Sequence, residues 1–202
     1  MNGNRIYKID KNGKKRRVFF VPGLRIHFKG KNSIVELTEP LPKLTNCRVR
    51  MGNNSLLKIG ASKFYIKNMK ACINADGGKL IIGDNFSARN TFEIHVGGET
   101  CTIGDTCMFG RNILVRCVDG HSIYSEDNQV NSPSSIEIGN HVWLAEGVCV
   151  LKGVKIANNC VVGLRSIVTK SIEEPNSLAA GSPAKIVKKI STWDRQPPYK
   201  LM

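Results

Sequence analysis

The chain lacks long hydrophobic runs, and this absence excludes a helical membrane protein. No apolar stretch reaches the roughly 18–20 residues that a bilayer-spanning helix needs. The first ten residues, MNGNRIYKID, lack the apolar core of a signal peptide. We therefore expect a soluble protein of the cytoplasm. The 202 residues, 41% of them hydrophobic, suffice for one domain with a substantial core.

The cysteine spacings that build zinc knuckles or redox motifs are also absent. The seven cysteines are odd in number, and no two of them form a CxxC pair. A disulfide framework needs paired cysteines and an oxidising compartment, so the pattern disfavours one. We expect free thiols that pack as small hydrophobic side chains.

Acidic residues are scarce in the N-terminal part of the chain. Residues 1–79 hold 18 Lys/Arg and 4 Asp/Glu, whereas residues 80–202 hold 12 of each sign. The formal net charge of +14 therefore lies in the first part, with its densest run at residues 14–17. A localised basic surface attracts acidic polysaccharides, phospholipid head groups or nucleic acid. A solvated face that only aids solubility is the plain alternative.

A six-residue repeat is the strongest pattern in the sequence. Every sixth residue of one series is aliphatic: Ile138, Leu144, Val150, Ile156, Val162 and Val168. The residues that follow this series are mostly small. A helix repeats near 3.6 residues and a strand alternates at two, so neither explains this period. The repeat predicts an all-β parallel β-helix, with coils of about 18 residues stacked around the aliphatic side chains.

The extent of the repeat predicts the organisation of the chain. It fades upstream of Ile34, so we expect a basic N-terminal cap segment over 1–33 and a β-helix domain over 34–172. The polar segment 119–135 interrupts the period and predicts an extruded active-site loop. A linker, helix and tail region follows over 173–202. Within it, Ser182-Pro183 and the apolar residues after it predict a short C-terminal α-helix over 183–195.

Four motifs resemble those of a known enzyme family. They are DGHSIY at 119–124, IEIGNHVWLAEGV at 136–148, VVGLRSIVTKS at 161–171 and AAGSPAKIVKKI at 179–190. Together they are similar to the hexapeptide-repeat acyltransferases, which acetylate galactosides, xenobiotics and capsule polysaccharides. STWDR at 191–195 most resembles members that act on capsules containing sialic acid. The resemblance implies a left-handed β-helix, a homotrimer with active sites between subunits, and acetyl-CoA bound along the coils.

Acetyl transfer to a sugar hydroxyl needs a base, because an alcohol is a poor nucleophile at neutral pH. An imidazole suits this task since histidines titrate close to neutral pH. His121 occupies the position of the family's catalytic histidine, so the resemblance implies that it is the general base for direct transfer in a ternary complex. Asp119, Glu126, Asp127 or a backbone carbonyl are open candidates for orienting its ring. The other histidines are expected to be structural: His27, His95 and His141.

The resemblance also implies a binding surface for acetyl-CoA. Trp143 should face outward because it precedes the inward Leu144. The family has a tryptophan here near the acceptor and the thioester, so the resemblance implies that Trp143 is part of the catalytic site with His121; a subunit contact is the alternative. Leu164 is bulkier than the small residue of the family and is expected to reshape the groove. The expected cofactor-binding residues are Trp143, Ala145, Gly163, Leu164, Arg165, Ser166, Thr169, Lys170 and Lys185. This chemistry requires no metal ion, and we expect none.

Several other functions fit parts of the sequence less well. A non-catalytic solenoid binding protein remains open because fold alone does not give function. A γ-class carbonic anhydrase needs three histidine ligands, which the spacings of the four histidines do not suggest. Aromatic residues make up 6% and no recognition motif for nucleic acid occurs, so we expect no nucleic-acid partner.

The favoured interpretation is therefore an acetyl-CoA-dependent O-acetyltransferase. Its expected acceptor is a carbohydrate, a sugar hydroxyl of an acidic capsular polysaccharide on the bacterial surface. A small galactoside-type or xenobiotic-type acceptor is the alternative. The basic N-terminal part would serve the anionic acceptor, or dock the protein to the inner membrane surface.

Overall fold

Every regular element is a β-strand in this computed structural model, which describes residues 2–196 and Pro198. The first twelve strands are β1 (Arg5–Ile9), β2 (Lys15–Val18), β3 (Leu24–Phe28), β4 (Ile34–Thr38), β5 (Lys43–Thr45), β6 (Cys47–Met51), β7 (Leu56–Ile59), β8 (Tyr65–Lys67), β9 (Met69–Ile73), β10 (Lys79–Ile82), β11 (Ser87–Ala88) and β12 (Phe92–His95). The others are β13 (Thr100–Ile103), β14 (Met108–Phe109), β15 (Ile113–Arg116), β16 (Tyr124–Ser125), β17 (Asn128–Gln129), β18 (Ile136–Ile138), β19 (Trp143–Leu144), β20 (Cys149–Leu151), β21 (Lys155–Ile156), β22 (Val161–Val162), β23 (Ile167–Val168), β24 (Ser177–Gly181) and β25 (Ala184–Lys189).

Three parallel sheets form the faces of a β-solenoid of about seven coils. In each regular coil the chain passes through the faces in a constant order. Face 1 contains β1, β4, β7, β10, β13, β18 and β21, with β2 antiparallel at its outer edge. Face 2 contains β5, β8, β11, β14, β19, β22 and β24, with β25 antiparallel at its outer edge. Face 3 contains β3, β6, β9, β12, β15, β20 and β23.

The aliphatic residues of the six-residue repeat fill the interior, as the sequence predicts. All six lie at 2% exposure or less. Lower in the stack, Phe86, Phe92 and Phe109 form an aromatic cluster with ring centroids 5.0–5.7 Å apart. All seven cysteines are free, which confirms that expectation, and five of them are buried.

The small residues after the aliphatic positions are explained by close contact between coils. At the corner between faces 1 and 2, the backbone N–H of Asp105 donates to Oδ1 of Asn140 at 2.8 Å, and that of Asn140 donates to Oδ1 of Asn158 at 2.7 Å. A Cβ on Gly104 would lie 2.3 Å from the Asn140 oxygen. A larger residue there would displace this side-chain ladder between coils.

The predicted C-terminal α-helix over 183–195 is wrong. Residues 184–189 form β25, which pairs antiparallel with β24, while β24 continues face 2 as the parallel neighbour of β22. The apolar residues of the predicted helix face do not share one environment, since Ile186 is 43% and Val187 is 63% exposed whereas Trp193 is buried. A hairpin satisfies the backbone groups that the last strand of the sheet would otherwise leave unpaired, and a helix would not.

The regular ladders extend into the basic segment 1–33. β1 pairs in parallel with β4, and β3 pairs in parallel with β6, so both belong to the first coil. Between β1 and β3 the chain adds β2 to the outer edge of face 1 instead of a strand to face 2. No helix capable of spanning a bilayer occurs among the residues described.

Candidate active site

His121 lies on a loop that leaves the solenoid at the corner between faces 3 and 1. The chain departs after β15, forms the small hairpin β16–β17 and returns at β18. Residues 120–130 are exposed, so the solenoid holds this loop at its two ends only. At the return end the backbone N–H of Ser134 donates to the Cys117 carbonyl at 2.9 Å.

Asn131 ties the loop together from its base. Its Nδ2 donates to the His121 carbonyl at 2.8 Å and to Oδ2 of Asp119 at 2.9 Å, while its Oδ1 accepts from the Ile123 N–H at 2.7 Å. Asn131 is only 9% exposed, in contrast to the neighbouring loop residues. The backbone of His121 is therefore fixed although its side chain is exposed.

Lys152 joins this network from the solenoid below. Its Nζ contacts Oδ2 of Asp119 at 2.5 Å and donates to the Asn131 carbonyl at 2.9 Å. The Lys152 ammonium, and then the Asn131 amide, lower the pKa of Asp119 below its ordinary value. Asp119 thus stays ionised and holds the loop.

The ring of His121 has no hydrogen-bond partner among the described residues. Asp119 is engaged by Lys152 and Asn131 instead. Glu126 and Asp127 lie exposed at the tip of the hairpin, within the part of the chain that the structure describes, and neither contacts the imidazole. The orienting group predicted from sequence is therefore not supplied by these three carboxylates within one protomer.

Trp143 lies on face 2, half-buried, with its side chain directed out of the coil. Its ring centroid is 6.0 Å from that of Trp193, which is 8% exposed. Trp193 stacks on His141 with centroids 4.3 Å apart and an interplanar angle of 10°, and its Nε1 donates to the His141 carbonyl at 2.8 Å. His141 Nδ1 is 2.9 Å from Oδ1 of Asn159. Packing thus holds His141 in place.

A row of small residues, here called the trough, runs along face 2 beside Trp143. Ala145, Gly163 and Ala180 occupy successive coils, and Lys185 pairs with Ala180 at the end of this row. The backbone N–H groups of Ala145 and Gly163 donate to the carbonyls of Val162 and Ala179 at 2.9 and 2.8 Å. The trough therefore offers shape and a terminal cation rather than free amides.

The other predicted cofactor residues lie at two different corners. Leu164, 64% exposed, and Arg165 lie between faces 2 and 3, next to the trough. Thr169 and Lys170 are exposed between faces 3 and 1, one coil beyond Lys152. Ser166 is fully buried, and its Oγ accepts from the Gly181 N–H at 3.0 Å. Its hydroxyl is thus occupied inside the coil, and its backbone N–H donates to the Gly163 carbonyl at 3.3 Å.

The predicted residues thus form two groups that one protomer does not bring together. Trp143, the trough and Lys185 belong to face 2. The His121 loop and Lys170 belong to the corner between faces 3 and 1, which lies across the hydrophobic core from face 2.

A basic groove of about 570 Å³ continues from Trp143 down face 2. Met108, which pairs with Trp143 in the ladder, lies at its near end. The groove is lined by aromatic and basic side chains, namely Phe64, Tyr65, Lys67, Arg89, Arg111 and Arg195. Such a surface can hold an acidic ligand through its charges and a ring through its aromatic faces.

Arg195 anchors the C-terminal segment across this groove. Its guanidinium donates to the Asn85, Thr106 and Cys107 carbonyls at 2.8–3.0 Å and to the Ser87 hydroxyl, and it lies 4.4 Å from the Phe64 ring centroid. Burial lowers the pKa of Arg195. Sequence reasoning missed this contact, as it missed Asn131 and Lys152, because each acts through partners 8 to 110 residues away.

Metal ligands do not cluster in the residues described. No group of three or more His, Cys, Asp or Glu side chains is placed to hold a metal ion there. The candidate site therefore consists of an exposed imidazole, a tryptophan, a trough and a set of cations.

Comparison with known proteins finds O-acetyltransferases. It is 34% identical over 162 residues to a polysialic acid O-acetyltransferase of Neisseria meningitidis, covering 79% of this chain and 75% of that protein. It is 37% identical over 126 residues to the galactoside O-acetyltransferase of Escherichia coli K12, covering 61% of each protein, less than two thirds of that relative's length. No family profile matches.

A solved structure agrees with this sequence similarity. The crystal structure of the polySia-specific acetyltransferase NeuO superposes with a TM-score of 0.73 at 27% identity, covering 98% of this chain and 82% of that one. The fold is thus the left-handed parallel β-helix of these acetyltransferases.

Proposed function

Since the chain belongs to the family of hexapeptide-repeat O-acetyltransferases, we propose that it transfers an acetyl group from acetyl-CoA to a hydroxyl of an acidic surface glycan. His121 takes the proton of the acceptor hydroxyl as general base. The observation that carries this proposal is the exposed imidazole of His121 on a loop whose backbone is fixed by Asn131. A base on a held backbone with a free ring can approach a substrate without loss of alignment.

Acetyl-CoA supplies an activated acyl group, and the residues of face 2 fit it. The row of Ala145, Gly163 and Ala180 leaves room for an extended arm, and Lys185 offers a cation at its end. Arg165 and Lys170 are exposed cations that suit phosphates from the adjacent corners. Trp143 packs beside the reactive end of this trough.

The active site forms between copies of the chain in this proposal, and the assembly is a homotrimer. His121 and Trp143 lie on opposite sides of the core within one protomer. A cyclic arrangement brings the loop corner of one copy to face 2 of the next and repeats that contact around the ring. The proposed location is the cytoplasm.

An acidic acceptor is favoured by the groove below Trp143. Lys67, Arg89, Arg111 and Arg195 line it, and the adjacent coils carry the excess positive charge of the chain. Two relatives with the same name act on polysialic acid, which agrees with such an acceptor. The relative that acts on galactosides makes a neutral sugar the second candidate.

The test is release of free thiol from acetyl-CoA with a panel of acidic and neutral glycans. We expect release that depends on an acidic glycan and that falls by about a thousandfold in His121→Ala. His95→Ala is the matched control, because His95 lies on face 3 outside the candidate site. Equal release by wild type and His121→Ala would remove His121 from its role. Release with neutral glycans alone would refute the acidic acceptor.

A further inference from the structure

The N-terminal end of the solenoid exposes apolar side chains. Phe19 and Phe20 are 82% and 72% exposed, and both lie between the edge strand β2 and β3. Other apolar residues at this end are only half-buried, because no further coil covers them: Ile6, Val18, Ile26, Phe28 and Leu44. We call this surface, with Phe19 and Phe20, the N-terminal end face.

Positive charge surrounds the N-terminal end face. Residues 2–31 contain ten Lys/Arg and one acidic residue, Asp10. Arg5 and Arg17 line a groove of about 490 Å³ together with Ile6, Val18, Phe19 and Phe28. Lys15 and Arg16 have carboxylate partners at 2.5 and 3.8 Å. Of the other basic residues in this segment, all but Lys8 are exposed to solvent.

We propose that the N-terminal end face docks the protein on an anionic lipid bilayer. Phe19 and Phe20 enter the interface between head groups and acyl chains, and the surrounding Lys and Arg contact anionic head groups. Basic residues next to exposed aromatic side chains are the combination that such interfaces bind. This inference does not depend on the proposed catalytic function.

The shape and charge of the end face argue against other occupants. A second copy docked end to end would bring two strongly positive surfaces together. The opposite end of the solenoid also carries exposed lysines, so a head-to-tail contact has the same defect. An acidic glycan would use the charges, but it would leave the 82% and 72% exposed rings of Phe19 and Phe20 largely in water, whereas a bilayer interface buries both.

The location of the end face leaves the candidate active site free. Face 1 runs in five ladder steps from β1 to β18, next to the His121 loop. At about 4.8 Å for each step, the loop lies about 24 Å from the docked end. Membrane binding therefore leaves the His121 loop and the trough accessible.

The test is co-sedimentation of the full chain with vesicles of phosphatidylcholine alone and of phosphatidylcholine mixed with phosphatidylglycerol. We expect binding to the anionic vesicles only. Phe19→Ser/Phe20→Ser should lower the partition by about tenfold, and this loss should persist in high salt because it is hydrophobic. Lys14→Gln/Arg17→Gln should lower it at low salt and have little effect at high salt.

Matched controls separate the end face from general charge and hydrophobicity. Ile186→Ser/Val187→Ser removes exposed apolar side chains at the opposite end, and Lys58→Gln/Lys79→Gln removes the same charge from the side of the solenoid. Both should bind anionic vesicles like the wild type. The exposed positions of Phe19 and Phe20 predict unchanged thermal unfolding in the double serine variant.

Three results would overturn the proposal. One is equal binding of anionic vesicles by the wild type and the Phe19→Ser/Phe20→Ser variant. Another is the absence of vesicle binding by the wild type. A third is that the same variant loses binding to a soluble acidic glycan, which would make the end face a glycan surface. Quenching of Phe19→Trp fluorescence by brominated lipid would support insertion directly.

Discussion

Removing the Asn131 side chain should reduce activity without unfolding the solenoid. Asn131→Ala deletes three hydrogen bonds of 2.7–2.9 Å, to the Ile123 N–H, the His121 carbonyl and the Asp119 carboxylate, and a longer one from Gln129 Nε2 at 3.5 Å. At a net value of about 0.5–1 kcal/mol each after exchange with water, the three short bonds hold the loop by about 1.5–3 kcal/mol. Since about 1.4 kcal/mol corresponds to a factor of ten, we expect kcat/KM to fall by about tenfold to a hundredfold.

The assay for this prediction is thiol release with the acidic acceptor, beside a thermal unfolding curve. Asn131 belongs to the loop and not to the core, so the unfolding midpoint should move little. Asn128→Ala is the matched control, because Asn128 is an exposed asparagine of the same loop. A kcat/KM for Asn131→Ala within about twofold of the control would refute the role of Asn131 as a positioning residue for His121.

The aromatic cluster should dominate the stability of the middle coils. In denaturant titrations Phe109→Ala should lower the free energy of unfolding by about 3–5 kcal/mol, because the Phe109 ring is fully buried. Phe19 is 82% exposed, so Phe19→Ala should change this free energy by less than about 0.5 kcal/mol. Equal effects of the two substitutions would contradict the described packing. The thiol of Cys107 should resist alkylation in the native state, because burial raises its pKa to about 12. Peptide mapping after iodoacetamide treatment at pH 8 should find label on Cys72 or Cys149 before Cys107, and the reverse order would count against the fold.

The solenoid could be predicted from sequence because its determinants are local and periodic. An aliphatic residue at every sixth position predicts the interior, as Ile103 shows. The small residue after it predicts the close contact between coils at the corner, as Gly104 shows. The prediction of a C-terminal helix was wrong because the structure of this segment is not determined locally. The edge of β24 needed a partner because β24 pairs with β22, a strand distant in sequence, and this requirement outweighed the helical spacing of residues 186–193.

The candidate site was predictable only in its outward residues. His121 and Trp143 stand in recognisable motifs, but their separation by the core follows from the order of the faces. The internal hydrogen bond of the Ser166 hydroxyl could not be predicted, because a serine in a corner can point inward to a backbone N–H as well as outward. The Asp119–Asn131–Lys152 network joins residues 12 to 33 positions apart, and no sequence period signals such contacts.

The most direct test of the central proposal is complementation between two inactive variants. His121→Ala and Trp143→Ala chains, each inactive alone in thiol release, should regain activity when they assemble together. If each site takes His121 from one copy and Trp143 from its neighbour, equal mixing should restore about one quarter of the wild-type activity. Absence of any recovery in mixed assemblies would contradict a site formed between copies and place both residues in the same protomer.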